Sequence, residues 1–438
     1  MSDSRIEKKY LGIQLSEGVN SWHMSTFYLT CIACILLATF INAFQPFLFS
    51  EIMNIPKAEQ GVVSGKLNFW GEMAIIFSVG IWGALSDKIG RRTIIVIGFL
   101  LVAAALYLYP QAKSVNELII YRIIYGLGIA AGTCMIVTLL ADYAKDINRG
   151  KAAGLQGVCN GIGAVIALFV LLRLPAVFQE QGMSAIDAGH KTYIIVAVFA
   201  VVVGLLSIRG LKAHQPAVNV HKQAISTMML DGIKAAREPG IALAYGAAFV
   251  SRANLTIVGA FMTLWLSNYG TEEAGMSAAD ALKKAGIIVA IAQSVALFGA
   301  PFFGILTDKI NRVSALLIAL CITFIGYCST YLVNDPFGGG MIVVVVIIGL
   351  SEIGAIITSG VLISQQTPKE KRGAVIGIFN LCGAIGILVS SVVGGYLYDH
   401  WDHSGPFVFV GFCGLVVFVW GLIVRHKIIP LNEQVIAK

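Results

Sequence analysis

The stretch Gly83-Ala-Leu-Ser-Asp87-Lys88-Ile-Gly90-Arg91-Arg92 lies where one long apolar segment of the chain ends and another begins. Charged side chains this close together cannot lie in hydrocarbon, so the stretch predicts a hairpin at a water interface between two membrane-spanning segments. A related stretch, Gly304-Ile-Leu-Thr-Asp308-Lys309-Ile-Asn311-Arg312, recurs in the second half of the chain. The repetition indicates an internal duplication.

The composition is typical of a polytopic helical membrane protein. Of the 438 residues, 57% are hydrophobic and 13% are charged, whereas soluble domains carry roughly 25% charged residues. Many uncharged runs approach about 20 residues, the length that an α-helix needs to cross a bilayer. The sequence therefore predicts an all-α membrane protein. The polar first 25 residues do not show the pattern of a secretory signal peptide.

The run lengths predict twelve membrane spans, six on each side of the longest polar inner stretch. Their approximate cores are 26–49, 64–86, 93–110, 116–138, 152–172, 193–208, 241–266, 286–306, 313–333, 341–363, 373–396 and 405–424. The polar stretch at 209–240 is expected to be a cytoplasmic central loop. It separates an N-terminal six-helix bundle at 1–208 from a C-terminal six-helix bundle at 241–438.

The distribution of positive charge predicts the orientation in the membrane. Of the 31 Lys and Arg residues, 22 fall in the predicted inner segments and 6 in the outer loops. Cytoplasmic loops carry such an excess, so both termini are expected in the cytoplasm and the protein in the plasma (inner) membrane. The formal net charge of +7 is then a consequence of topology, and no nucleic-acid partner is expected.

Two signatures resemble those of the major facilitator superfamily. The first charged stretch matches the family's loop-two pattern, Gly-x-x-x-Asp-(Arg/Lys)-x-Gly-(Arg/Lys)-(Arg/Lys), completely, and the second stretch matches it in part. The fourth predicted span carries Arg122-x-x-x-Gly126-x-Gly128-x-Ala130-Ala131, similar to the family's second signature. The resemblance covers nearly the whole chain. It implies a secondary transporter with two pseudo-symmetric six-helix bundles around a central cavity.

The resemblance implies that the first charged stretch forms a latch at the cytoplasmic side. Gly83 has no side chain and would let the second span approach a neighbour closely. Asp87 is placed to accept hydrogen bonds from a helix N-terminus, and Arg91 is placed to pair with Asp142, with Arg149 close by. The resemblance assigns such a cluster to holding the outward-open state. A cluster that only sets the membrane topology is the alternative.

The second charged stretch predicts a weaker latch in the second half. Asp308 and Arg312 are its members. Asn311 replaces the signature glycine, and the position equivalent to Asp142 holds Gln365, so Arg312 would meet an amide instead of an acid.

Two charged residues near the middle of the membrane are candidate functional groups, since each ionisable residue inside a span costs at least about 2.5–3.5 kcal/mol. By helical rise, Arg252 of the seventh span and Glu352 of the tenth lie at similar depth. We expect them to face each other, so that protonation of Glu352 frees Arg252 for an anionic substrate group. A permanent structural pair is the alternative.

A second pair is expected in the first half. Arg122 is placed to bind a substrate carboxylate or phosphate, or to pair with Glu72 of the second span. Glu72 as a separate proton site is the alternative. No histidine falls in a predicted span, so proton coupling would depend on Glu72 or Glu352. The uncharged residues expected to contact substrate, with helix–helix packing as the alternative, are Asn42, Gln45, Asn254 and Asn380.

The favoured function is proton-coupled symport of a small anionic or zwitterionic organic solute by alternating access. A drug/proton antiporter is the first alternative. The fifth predicted span, however, lacks the proline of the exporter motif of that class. A non-transporting receptor or lipid-handling scaffold is the second alternative function. No metal, cofactor or enzyme activity is expected. The expected partners are a small-molecule substrate and the bilayer, with the protein as a monomer.

Overall fold

The computed structural model describes residues 9–145, 148–213, 225–368 and 371–428. Within these ranges, twelve helices are long and apolar enough to cross a bilayer, which confirms the predicted all-α fold. We number them spans 1 to 12 in chain order. Their bounds are Ser21–Ile52, Lys57–Ile89, Arg91–Gln111, Val115–Tyr143, Gly150–Glu180, Ala185–Gly210, Pro239–Glu272, Ala278–Lys309, Arg312–Leu332, Gly339–Gln366, Gly373–His400 and Gly405–Lys427.

Several spans begin before their apolar cores because a serine caps the first turn. Ser114 precedes span 4, Ser184 precedes span 6 and Ser277 precedes span 8. Each serine side chain accepts a hydrogen bond from the backbone N–H of an acidic residue in that first turn. The acidic residue also interacts favourably with the helix N-terminus. Span 6, whose predicted core was short, therefore reaches full crossing length.

The chain divides into two compact units, of which unit 1 comprises Met1–Asn54 and Trp70–Asn219. Within it, span 1 packs on span 5, and span 3 packs on spans 4 and 6. Phe40 and Phe44 of span 1 both contact Tyr193 of span 6, with ring centroids 5.5 and 5.2 Å apart. These three buried aromatic side chains form part of the core of unit 1.

Unit 2 comprises Ile55–Phe69 and Val220–Lys438. Within it, span 7 packs on span 11, and span 9 packs on spans 10 and 12. These pairings repeat those of unit 1 six spans later in the chain. The recurrence supports the duplication indicated by the two charged stretches.

The first turns of span 2 belong to unit 2, where they contact spans 7 and 11. Asp399 of span 11 accepts hydrogen bonds from the backbone N–H groups of Gly61 and Val62, at 2.8 and 2.7 Å. Lys57, the first residue of span 2, forms an ion pair with Glu272 of span 7 at 3.2 Å. One carboxylate thus caps the start of a helix that lies far from it in sequence.

The predicted central loop contains a short helix, Ile225–Ala235, which packs on span 11. A side chain at Gly232 would collide with the carbonyl of Ala374, so the two helices are in backbone contact there. Residues 214–224 of this loop lie outside the described residues.

An antiparallel hairpin, β1 (Lys9–Tyr10) and β2 (Ile13–Gln14), precedes span 1. It bonds to the segment that follows span 4. The Gln14 carbonyl accepts a hydrogen bond from the N–H of Lys145 at 3.1 Å, and the Gln14 N–H donates to Oδ1 of Asn148 at 3.1 Å. The start of the described chain is therefore fixed to unit 1 by backbone pairing.

Candidate functional site

The predicted contact between Arg91 and Asp142 is present in unit 1. Arg91 lies in the first turn of span 3, and its Nε is 2.7 Å from Oδ2 of Asp142 near the end of span 4. Trp82 of span 2 donates its indole N–H to the Leu127 carbonyl of span 4 at 2.9 Å, which joins spans 2 and 4. The Arg91 and Asp142 side chains are 21% and 43% exposed. Water therefore screens the pair, and its contribution to stability is small.

Gly83 does not have the packing role that the sequence suggested. A Cβ at this position would meet nothing within 4 Å among the residues that the structure describes, so span 2 makes no close helix contact here. The glycine that the backbone requires is Gly90, which has a φ of +94°. Glycine adopts this conformation without steric cost, and it turns the chain from span 2 into span 3.

Asp87 and Arg149 are the other two residues of the predicted first latch. Asp87 is half-buried in the last turn of span 2. Arg149 begins the helix Arg149–Phe169, but its side chain lies outside the described structure. Their roles in a latch stay predictions.

The equivalent cluster of unit 2 differs from the first. Asp308 is exposed and Arg312 is half-buried, and neither forms an ion pair with a residue that the structure describes. Asn311 has a φ of −55°, and its side chain accepts a hydrogen bond from the N–H of Val313 at 2.9 Å. This turn needs no left-handed residue, which explains how asparagine replaces the signature glycine. The missing ion pair agrees with the amide of Gln365 at the position of the first-half acid.

Arg122 lies in the interior of unit 1 and is 6% exposed. Its Nη2 donates a hydrogen bond to Oδ1 of Asn42 in span 1. Its Cζ lies 5.5 Å from the centroid of the Tyr125 ring, in a cation–π contact. A Cβ at Gly71 of span 2 would lie 3.0 Å from Nε of Arg122, so the glycine leaves room for the side chain. Spans 1, 2 and 4 together fix the position of the cation.

The charge of Arg122 acts on three buried tyrosines. Tyr109 at the end of span 3, Tyr125 in span 4 and Tyr193 in span 6 are 0%, 4% and 0% exposed. The rings of Tyr109 and Tyr193 have centroids 6.0 Å apart. The sequence analysis missed Tyr109 and Tyr193, because an aromatic residue in an apolar run gives no signal that separates a site from a core.

Glu72 and Gln45 are the other candidate residues of unit 1. Glu72 is half-buried and follows Gly71, which contacts Arg122. Gln45 is 1% exposed and lies on the same span as Asn42. The pairing of Glu72 with Arg122, its role as a proton site and a substrate contact by Gln45 stay predictions.

Glu352 of span 10 lies in the interior of unit 2 and is 3% exposed. Gln293 of span 8 donates from Nε2 to the two carboxylate oxygens, at 3.4 and 3.3 Å. These distances are long for hydrogen bonds, so the contacts are weak. Tyr327 of span 9 lies close enough to interact electrostatically with the carboxylate. Among the described residues, no cation forms an ion pair with Glu352.

The predicted pair of Arg252 and Glu352 is not formed. Arg252 is exposed, and its side chain follows span 11, where a Cβ at Gly383 would lie 2.6 Å from Cγ of Arg252. Glu352 instead contacts span 8 through Gln293. The two side chains point toward different neighbouring spans. The prediction that they share one contact is therefore wrong for this structure.

Asn254 of span 7 is 0% exposed, and neither atom of its side-chain amide has a hydrogen-bond partner among the described residues. Its backbone carbonyl accepts a hydrogen bond from the Tyr327 hydroxyl at 3.3 Å. Span 7 changes to a π-helical turn at Val258–Met262, a feature found often at functional sites. Asn380 of span 11 is exposed. Asn254 thus lies in a buried region of unit 2 next to Tyr327.

Comparison with known proteins matches most of the chain to one protein family. The family model described as Major Facilitator Superfamily matches residues 26–391 and again 246–435. The chain is 25% identical over 406 residues to the magnetosome protein MamH of Paramagnetospirillum magneticum, and the match covers 90% of each. It is 26% identical over 352 residues to the probable nitrate transporter NarT of Staphylococcus carnosus. That match covers 79% of this chain and 83% of NarT.

A solved structure shows the same fold. The crystal structure of the nucleoside transporter NupG superposes with a TM-score of 0.73 and 14% sequence identity. The superposition covers 92% of this chain and 98% of NupG.

Proposed function

Because the chain belongs to the major facilitator superfamily, whose members are transporters and not enzymes, we propose that it carries a small organic solute with an anionic group by proton-coupled symport. Alternating access is the mechanism that we propose for this movement. The buried carboxylate of Glu352 is the single observation that carries the coupling to protons.

Glu352 suits a coupling role because its charge has so little compensation. A carboxylate buried away from water is costly unless it is paired, and taking up a proton removes that cost. Here the only hydrogen-bond donor to the carboxylate within the described residues is the neutral amide of Gln293, at 3.3 Å or more. Binding and release of one proton would therefore change the electrostatics of unit 2 substantially.

Arg252 supports an aqueous pathway beside spans 7 and 11. Its side chain is exposed, and no acid pairs with it among the described residues. An arginine that faces lipid near the bilayer centre is costly, by at least about 2.5–3.5 kcal/mol. An exposed arginine at this depth is much less costly when it faces water. We propose that Arg252 faces the substrate pathway and attracts an anion, with Asn380 as a candidate contact.

Arg122, which Asn42 holds in place, supports an anionic substrate from unit 1. A guanidinium carries five N–H donors in a planar fork, a geometry that matches a carboxylate or phosphate. The similarity to NarT, named as a probable nitrate transporter, agrees with an anionic cargo. Asn254 is the matching candidate in unit 2, since its buried amide is able to donate and accept.

The protein is a multi-pass integral membrane protein. We propose the plasma (inner) membrane as its location, with both termini in the cytoplasm. The placement of 22 of the 31 Lys and Arg residues in the predicted inner segments supports this orientation.

Flux measurements on the purified protein in proteoliposomes test the proposal. A set of labelled small carboxylates is offered with and without an inward proton gradient. Replacement Glu352→Gln keeps the size of the side chain and removes the proton site. We expect it to abolish gradient-driven accumulation while exchange at equilibrium continues. Glu273→Gln is the matched control, because Glu273 is an exposed acid just beyond span 7.

Each other result has a distinct meaning. Unchanged accumulation by Glu352→Gln would remove Glu352 from the coupling. Export driven by the inward gradient would favour the drug/proton antiporter. Absence of flux both with and without the inward proton gradient would favour the non-transporting scaffold.

A further inference from the structure

We propose that unit 1 contains a subsite for a small oxyanion, in which Arg122 supplies the positive charge and the hydroxyls of Tyr125 and Tyr193 donate hydrogen bonds. The subsite would hold the anionic end of the transported solute, so the substrate class rests on the proposed function. The binding itself is measured without transport.

The two hydroxyls are the main observation. Tyr125 and Tyr193 are 4% and 0% exposed, and neither hydroxyl oxygen has a hydrogen-bond partner within the described structure. Buried polar atoms in native proteins nearly always have a partner, and an unpaired one costs free energy. Two such hydroxyls near the same guanidinium indicate a bound group that completes them.

The two hydroxyls come from separate helices, and the charge of Arg122 acts on both. Tyr125 lies on span 4 with Arg122, and Tyr193 lies on span 6. The Tyr193 ring has its centroid 6.0 Å from that of Tyr109 at the end of span 3. Because two helices supply the groups of the subsite, the arrangement depends on the tertiary fold and not on a single helix surface.

The side chains of the subsite favour a ligand that accepts hydrogen bonds. The Oδ1 of Asn42 accepts from Arg122, and its Nδ2 donates to the Ala38 carbonyl at 3.2 Å, so this amide is already engaged at both ends. Guanidinium groups only donate, and tyrosine hydroxyls are able to donate. A cation would be repelled by Arg122. An oxyanion such as a carboxylate, nitrate or phosphate accepts several hydrogen bonds at once and carries the opposite charge.

Tyrosine-to-phenylalanine variants test the subsite in the full-length protein in detergent. Sodium acetate, nitrate and phosphate are titrated against sodium chloride at equal ionic strength, and the melting temperature gives an apparent Kd for each anion. We expect at least one oxyanion to raise the melting temperature of the wild type. Tyr125→Phe and Tyr193→Phe should each weaken its binding about 10-fold or more. Tyr107→Phe is the matched control, since Tyr107 is 53% exposed.

The same variants also test the proposal through their melting temperature in chloride alone, where the expected change is not a loss. Removing an unpaired buried hydroxyl removes a desolvation cost, so both variants should melt at or above the wild-type temperature. Variants that melt below the wild type would show that the hydroxyls are already paired, and would overturn the proposal. Wild-type affinity in both variants, or no response to the three oxyanions, would also overturn it. Failure of proton-driven flux with intact anion binding would refute the proposed function alone.

Discussion

Removal of the Asp399 carboxylate should release the first turns of span 2 from unit 2. The carboxylate accepts two backbone hydrogen bonds, from Gly61 at 2.8 Å and Val62 at 2.7 Å. Hydrogen bonds to a charged group contribute about 1.5–3 kcal/mol each when buried, and a negative charge at a helix N-terminus about 0.3–1 kcal/mol. Asp399 is half-buried, so solvent weakens these interactions. We therefore expect Asp399→Ala to destabilise the first turns of span 2 by about 2 kcal/mol in total, which equals about a 30-fold change in their local opening equilibrium.

Hydrogen–deuterium exchange of residues 57–69 measures this opening directly. Asp399→Ala should speed exchange of these amides about 30-fold, and Asp399→Asn should speed it less, because an asparagine still accepts one hydrogen bond. Glu273→Ala, which removes an exposed acid nearby in unit 2, should leave exchange unchanged. Wild-type protection of residues 57–69 in Asp399→Ala would refute the reasoning, as would a larger effect of asparagine than of alanine.

Two further predictions concern the arginines at the ends and in the middle of the spans. A double-mutant cycle of Arg91→Ala and Asp142→Ala, measured by unfolding, should give a coupling energy of about 0.5 kcal/mol, because the pair is partly exposed. A coupling above about 2 kcal/mol would contradict solvent screening. Arg252→Ala should raise the apparent Kd of the transported anion about 10-fold, with Arg252→Lys intermediate. An unchanged Kd in a binding titration would exclude Arg252 from substrate contact.

The twelve spans could be predicted because their apolar runs and the charges between them follow from transfer free energies alone. The helix ends were less predictable. Span 6 extends well beyond its apolar core, because Ser184 and Asp187 build a capped first turn from polar residues. Hydropathy treats these polar residues as loop, although hydrogen bonding makes them helical.

The contact of Arg91 with Asp142 was predictable because both residues lie at span ends on one side of the membrane, where few arrangements are possible. Arg252 and Glu352 show the opposite case. Residue number fixes the depth of a side chain along a helix, but the rotation of the helix about its axis decides which neighbour it meets. Apolar residues surround the axis of both spans, so their sequences do not mark an interior face.

Some residues of the sites gave no signal in the sequence. Tyr193 looks like an ordinary core aromatic residue, and only the convergence of spans 3, 4 and 6 places it near Arg122. Asp399 looks like a solvated residue at the end of an apolar run. Its partners, Gly61 and Val62, are 338 and 337 residues away in the chain, so local patterns cannot reveal the cap.

The hairpin of β1 and β2 sets an order on biosynthesis. The N–H of Gln14 bonds to Asn148, 134 residues later, so the ribosome must complete four spans before this partner exists. The β2 strand emerges first and must wait without these bonds while spans 1 to 4 enter the membrane. Its docking therefore cannot precede the synthesis of span 4, and protease protection of residues 9–16 on ribosome-bound chains would report when that event occurs.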